Sequence, residues 1–158
     1  MIEILPFLYI SYYEDEKTPK FFHKYKIKTF IHLTTHTKKH SQFNEFENVF
    51  IELPYNIDTM NEPQINTLFY SYLYDLVEFL FQKIIIQNEN VCILGFQNKQ
   101  DIDALLMAYF IKYAKVNYQE AHHYVMSKKI NNNYDKSYYY PCLKKFIQQL
   151  ELLDKIEY

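Results

Sequence analysis

The sequence predicts a single α/β domain, residues 1–158, built on a mixed central sheet of four or five strands flanked by helices on both faces. Three observations lead there. Short apolar runs alternate with stretches of helical periodicity along the chain. Residues 91–94, Val-Cys-Ile-Leu, read as a buried parallel strand, and a turn over residues 95–100 leads from it into an amphipathic helix opened by Asp101 or Asp103. Residues 63–87 carry apolar side chains at helical spacing, among them Leu68, Phe69, Tyr72, Leu73, Leu76, Val77 and Leu80.

Composition supports a folded chain and excludes several classes of function. With 158 residues, 49% of them hydrophobic and 19% aromatic, the chain is long enough to bury one real core. A net charge of −2 offers no basic field for nucleic acid or an anionic membrane. No apolar run approaches the length of a membrane span, and the start of the chain lacks the basic region and cleavage site of a signal peptide. The expected location is the cytoplasm, with cytoskeletal association as its variant. Cys92 and Cys142 are expected to be separate buried thiols, and none of the 17 basic residues is an arginine.

In chain order, residues 4–9 form a first strand that Pro6 marks as an edge or a bulge. Pro19 opens a short helix reaching residue 26, and residues 28–33 form a strand with Phe30 and Leu33 turned to the core. A polar loop over residues 34–42 precedes a strand at residues 49–53. The long helix at residues 63–87 is capped by Asn61 or Glu62 and leaves Tyr70, Tyr74, Phe81 and Ile85 outside its core stripe. A helix at residues 118–129, a polar run and a last helix at residues 142–153 complete the chain, the last with Leu143, Phe146, Ile147, Leu150 and Leu153 as its stripe.

His32, His36 and His40 are spaced as a zinc-binding stripe would be on a helix. His32 falls in a strand, however, and Thr34, Thr35 and Thr37 disfavour a continuous helix, so these read as surface or loop histidines. His122 and His123 read as helix surface and rim. No metal and no other cofactor is expected.

A strand, a short loop and a helix N-terminus make an anion site in many α/β proteins, because free N–H groups and the helix dipole converge there. At this stretch the chain resembles the dual-specificity protein phosphatases. VCIL, LGFQNKQDI and ALLMAYFIK stand where that family has a strand of the type VLVH, the loop HCxxGxxRS and a helix of the type xxxAYLM. Further along the chain, ILPFLYIS resembles the family's first strand and turn, KTFIHLT its VINLT strand, VFIELP the strand leading to its general-acid loop, and residues 119–129 its AxxxVxxxR helix.

The resemblance implies the same fold and a loop in which each chemical member is replaced. Leu94 stands at the family's His, Gly95 at its nucleophilic Cys, Asn98 at its Gly, Asp101 at its Arg and Ile102 at its Ser or Thr. A glycine forms no phosphoenzyme, and a carboxylate where the family has a guanidinium repels a phosphate dianion. Drift from Arg to Lys would empty a chain of arginine without producing an Asp. Asp101 and Asp103 would instead satisfy the helix N-terminus themselves. A second register matches the CxxG of Cys92 to Gly95 and places Asn98 at the Arg. Asp58 is the nearest candidate for a vestigial general acid, one position later than the usual spacing.

The expected function is therefore a phosphatase-like protein that is not an enzyme and acts as a binding or scaffolding module for protein partners, without nucleic acid or membrane. The alternative is a structural subunit of a large assembly, a cytoskeletal or axonemal lattice or a virus particle, held by exposed aromatic anchors. A third reading is a hydrolase using Asp58, Asp101, Asp103 and a metal.

Overall fold

Apolar side chains on both faces of one strand decide the architecture. A computed structural model describes residues 1–15, 17–34, 43–52, 62–96, 101–128 and 139–156. In it, β5 (Asn90–Gly95) is buried from Val91 to Gly95, a pattern that requires a packed layer on each side. It lies parallel to β2 (Leu8–Tyr12) on one side and to β3 (Ile27–Thr34) on the other. β4 (Glu47–Glu52) extends the sheet parallel to β3, and β1 (Ile2–Leu5) closes the other edge antiparallel to β2. The order β1-β2-β5-β3-β4 is a mixed five-stranded sheet flanked by helices, the fold class the sequence predicts.

Alternation along the strands sorts the residues between two cores. Val91 and Ile93 join Leu8, Ile10, Ile31 and Leu33 beneath four helices: α2 (Glu62–Phe81), α3 (Asp101–Tyr109), α4 (Tyr118–Lys128) and α5 (Tyr140–Ile156). Cys92 and Leu94 point the other way, into a smaller core with Phe30, Phe43 and Phe22 of α1 (Pro19–Lys24). The rings of Phe22 and Phe30 meet edge to face, with centroids 4.8 Å apart. Both thiols are free and buried.

The first strand departs from expectation. Residues 4–9 belong to a hairpin, β1 and β2, that turns at Pro6 and Phe7. Proline donates no hydrogen bond to a ladder, and Phe7 takes up the left-handed backbone, φ 74°, that the reversal requires. Thr18 caps α1 by accepting from the Phe21 amide at 3.3 Å, with Pro19 in the first turn.

Two helices end in a wider coil that the apolar spacing does not reveal. α2 continues as a π turn over Gln82–Ile86, and α3 as one over Phe110–Ala114, stopped by Lys115 in the left-handed conformation. The π turn after α2 carries Lys83 into the protein, where its ammonium meets Glu47 of β4 at 2.7 Å and Glu89 at 3.5 Å. Thr29 of β3 donates to the same Glu47 carboxylate at 3.2 Å. Among the described residues no helix is long and apolar enough to cross a membrane.

The Lys83 pair ties the end of α2 to the edge of the sheet. Its hydrogen bond holds the Glu47 carboxyl below the usual carboxylate range, so the contribution is present at neutral pH and is lost on acidification through that lowered pKa. Lys83→Met should cost about 1–3 kcal/mol in urea unfolding at neutral pH, since it strips the cation from two carboxylates. Glu47→Gln should cost less, because that side chain is 51% exposed and its charge is screened. Equal losses from the two variants would refute this ordering.

Candidate functional site

The site the sequence singles out lies where β5 gives way to α3. β5 ends at Gly95, Phe96 follows half-buried, and α3 starts at Asp101. Asn98 in the intervening loop, Asp58, His36 and His40 lie outside the described residues.

Gly95 is a glycine for reasons of space. Its backbone has no positive φ, but a Cβ built on it would meet Cδ1 and Cγ1 of Ile102 at 3.0 Å and the Leu33 carbonyl at 3.7 Å. Ile102, buried in the first turn of α3, fills the volume that a side chain at position 95 would use. Leu94 faces the opposite core beside Cys92. Cys92 sits mid-strand, paired with Tyr9 and Phe30, so the register that would make Cys92 the loop thiol has no loop to place it in.

Asp101 is 2% exposed, and Tyr139 donates its hydroxyl to Asp101 Oδ1. Burial pushes the Asp101 carboxyl up to about 7; the Tyr139 hydrogen bond opposes that shift and the nearby Asp103 adds to it. Whatever its role at the helix dipole, Asp101 is desolvated and joins the start of α3 to the start of α5 through Tyr139. Sequence reasoning missed Tyr139, which is buried against Phe69 with ring centroids 4.5 Å apart. The one signal was a tyrosine run next to a helix start.

On the other side of the sheet, His32 contradicts its reading as a surface or loop histidine. It has no exposed surface and sits on β3 opposite Leu94. Asn48 donates both amide hydrogens, to the carbonyls of Phe43 at 2.8 Å and Phe46 at 2.9 Å, so its Oδ1 accepts from His32 Nε2 at 2.8 Å. His32 Nδ1 then accepts the Tyr13 hydroxyl at 2.7 Å. Burial holds the Tyr13 phenol well above its ordinary range. The Tyr13 ring also lies 5.0 Å from Phe96, and the His32 ring stacks on Phe50 at 4.3 Å. An aromatic floor with one satisfied polar chain thus adjoins the end of β5.

Chemically, the described part of the site offers neither a thiolate nor a guanidinium. Burial raises both cysteine thiols, Cys92 far above its ordinary value and Cys142 up to about 12, so neither ionises near neutral pH. Among the described residues no three of His, Cys, Asp and Glu come together as a set that could hold a metal ion.

No family model matches the chain, and no curated protein matches it in sequence. Solved structures do. Human DUSP28 aligns over 97% of this chain and 99% of its own at 8% identity and a TM-score of 0.75. The human tyrosine phosphatase-like serine/threonine/tyrosine-interacting protein aligns over 97% and 96% at 18% identity and a TM-score of 0.68. A leucine rich repeat and phosphatase domain containing protein from Entamoeba histolytica aligns over 96% and 93% at 16% identity and a TM-score of 0.71. At these identities the likeness is one of fold: the chain is a single domain with the fold of dual-specificity phosphatases.

These matches correct the expectation that the chain is not an enzyme. Its structural neighbours include, by name, a mouse putative dual specificity phosphatase and the Cydia pomonella PTP-2 phosphatase, and nothing in the structure shows that this chain lacks activity. The identities of Gly95 and Asp101 bear on a route through a loop cysteine and leave other routes untested.

Two stability measurements test the packing at this edge. The folded pKa of Asp101 lies above its unfolded value, so the folded chain holds the extra proton and stability falls as pH rises from about 4 to about 7. Asp101→Asn keeps an acceptor for Tyr139 without the charge; at pH 8 it should stabilise the fold, on the order of 2–4 kcal/mol at about 1.4 kcal/mol per pKa unit, with the gain shrinking toward pH 4. A pH-independent difference in melting temperature would contradict that assignment. Gly95→Ala should destabilise by about 1–3 kcal/mol through overpacking, and Ile102→Val in the same chain should recover part of the loss. Strict additivity of the two changes in a double-mutant cycle would show that the residues do not share the space.

Proposed function

We propose that the chain is a phosphatase-fold protein that works as a binding or scaffolding module for a protein partner. In this reading Leu94, Gly95, Asn98, Asp101 and Ile102 hold the phosphate-loop positions, and packing has replaced phosphate binding there. Asp101 carries the argument. Where an anion would need a cation, the chain has a buried carboxyl bonded to Tyr139.

Surface chemistry supports a protein partner. Ile85 and Ile86 at the end of the π turn after α2 are 52% and 58% exposed, and Leu152 on α5 is 59% exposed. Large apolar side chains in water are the raw material of an interface. The same fold serves a human protein that is, by name, phosphatase-like and serine/threonine/tyrosine-interacting.

Phosphatase chemistry in this chain would run without a thiol, since Gly95 has none and Cys92 and Cys142 are buried. Hydrolysis of an aryl phosphate by the purified chain should therefore be the same for wild type, Cys92→Ser and Cys142→Ser. Inorganic phosphate at millimolar concentration should leave the amide resonances of residues 95–102 in place. Turnover lost with Cys92→Ser, or saturable shifts at those amides, would overturn the packed-loop assignment. On size exclusion of native extract the chain should run in a transient complex or a free pool from which a protein partner is captured in pull-down; a fixed stoichiometric assembly with no free pool would favour the structural-subunit reading and overturn the binding module.

A further inference from the structure

The apolar stripe of α5 is only partly covered. Leu143 and Phe146 are fully buried, but Ile147, Leu150 and Leu153, one and two turns further on, are half-exposed. They line one wall of a groove of about 470 Å³, whose other walls come from Tyr74 and Glu78 of α2 and from Ile111 and Val116 at the end of α3. The floor is aliphatic and aromatic.

The charges around it are unbalanced. Lys112 pairs with Glu78 and lies over the Tyr74 ring at 4.1 Å, which neutralises that side. Glu151 and Asp154 are exposed at the opposite lip and have no cationic partner among the described residues; Lys115 is the one further cation in the lining. Both acids lie in the last two turns of α5, where the helix dipole already places negative charge, so their position there is unfavourable for the helix itself. Lys155 in the last turn offsets part of that charge, but Glu151 and Asp154 form no ion pair with it and lie beside a stripe whose Ile147 and Leu150 are only half-covered, so a cationic group from outside would complement them.

We propose that this groove is the seat of an amphipathic helical segment of the partner, with apolar side chains set between α2 and α5 and lysine or arginine against Glu151 and Asp154. This rests on the reading of the chain as a binding module and names the surface and the partner's chemistry. Seating a helix's apolar face in such a groove is a recurrent mode of peptide recognition, and charges at its rim set the choice of partner.

The probes are two fluorescein-labelled amphipathic peptides with leucines at helical spacing, one with lysines and one with glutamates on the polar face. The full chain should bind the lysine peptide saturably in anisotropy and the glutamate peptide at least about tenfold more weakly, the gap narrowing with salt. The double variant Glu151→Lys/Asp154→Lys should lose about tenfold for the lysine peptide, as should Leu150→Asn, while Glu3→Lys/Asp15→Lys, at exposed sites elsewhere, should not. Circular dichroism of each variant confirms an intact fold. No saturable binding, equal affinity for both peptides, or equal losses in the two charge reversals would overturn the proposal. Capture from native extract separates it from the reading beneath it. A native complex that survives Glu151→Lys/Asp154→Lys and Leu150→Asn sinks the groove and leaves the binding module standing, whereas absence of any complex sinks the module itself.

Discussion

The two-sided burial of β5 is the constraint on which the rest of the structure depends. Val91 and Ile93 need the layer of α2 to α5, and Cys92 and Leu94 need the aromatic layer of α1 and residues 43–46. Parallel neighbours on both sides follow, because a strand in the middle of such a sheet has no edge to offer to water. The C-terminal ends of β2, β3 and β5 then arrive together beside the start of α3. That is the position where open α/β sheets place their ligands.

At this edge, packing has taken over from electrostatics. A helix N-terminus attracts anions; the first turn of this one carries two buried acids, Asp101 and Asp103. The closest approach between β5 and α3 is set by the absent side chain of Gly95 and the bulk of Ile102. Asp101 is buried and accepts the Tyr139 hydroxyl, which couples two helix starts far apart in sequence. The fold is that of dual-specificity phosphatases, and where β5 meets α3 the described residues present apolar contact and buried acids. Several of the solved structures it matches are phosphatases by name, which keeps catalysis by another route, such as the third reading from the sequence, open to test.

The opposite face shows how a polar network can specify a layer. Asn48 spends its amide hydrogens on the carbonyls of Phe43 and Phe46, which sets its oxygen against His32 and leaves the other ring nitrogen of His32 for Tyr13. Each of these polar contacts is buried or partly buried, and a half-made version would be costly. The network holds residues 43–46 against β3 and lays aromatic rings under the end of β5.

Much of this was determined by local sequence. The order of most strands and helices, the burial of residues 91–94, the start of α1 at Pro19 and the absence of cysteine and arginine from residues 95–102 follow from apolar periodicity, turn chemistry and residue identity, which act over a few residues. Tertiary structure alone decided the rest. Pro6 read as marking an edge or a bulge, and β1 is indeed the edge strand; that residues 4–9 reverse at Pro6 and Phe7 and do not run on as one strand depends on the strand available to pair with them. His32 read as a loop or surface residue because its partners, Tyr13 and Asn48, are 19 and 16 residues away. Tyr139 could not be linked to Asp101, 38 residues earlier, and the apolar stripe of α5 does not show that Leu143 and Phe146 are fully buried while Ile147, Leu150 and Leu153 are only partly so. Periodicity tells which side of a helix is apolar; how much of that side meets another element is set by where the other helices lie, and that is written in no single segment.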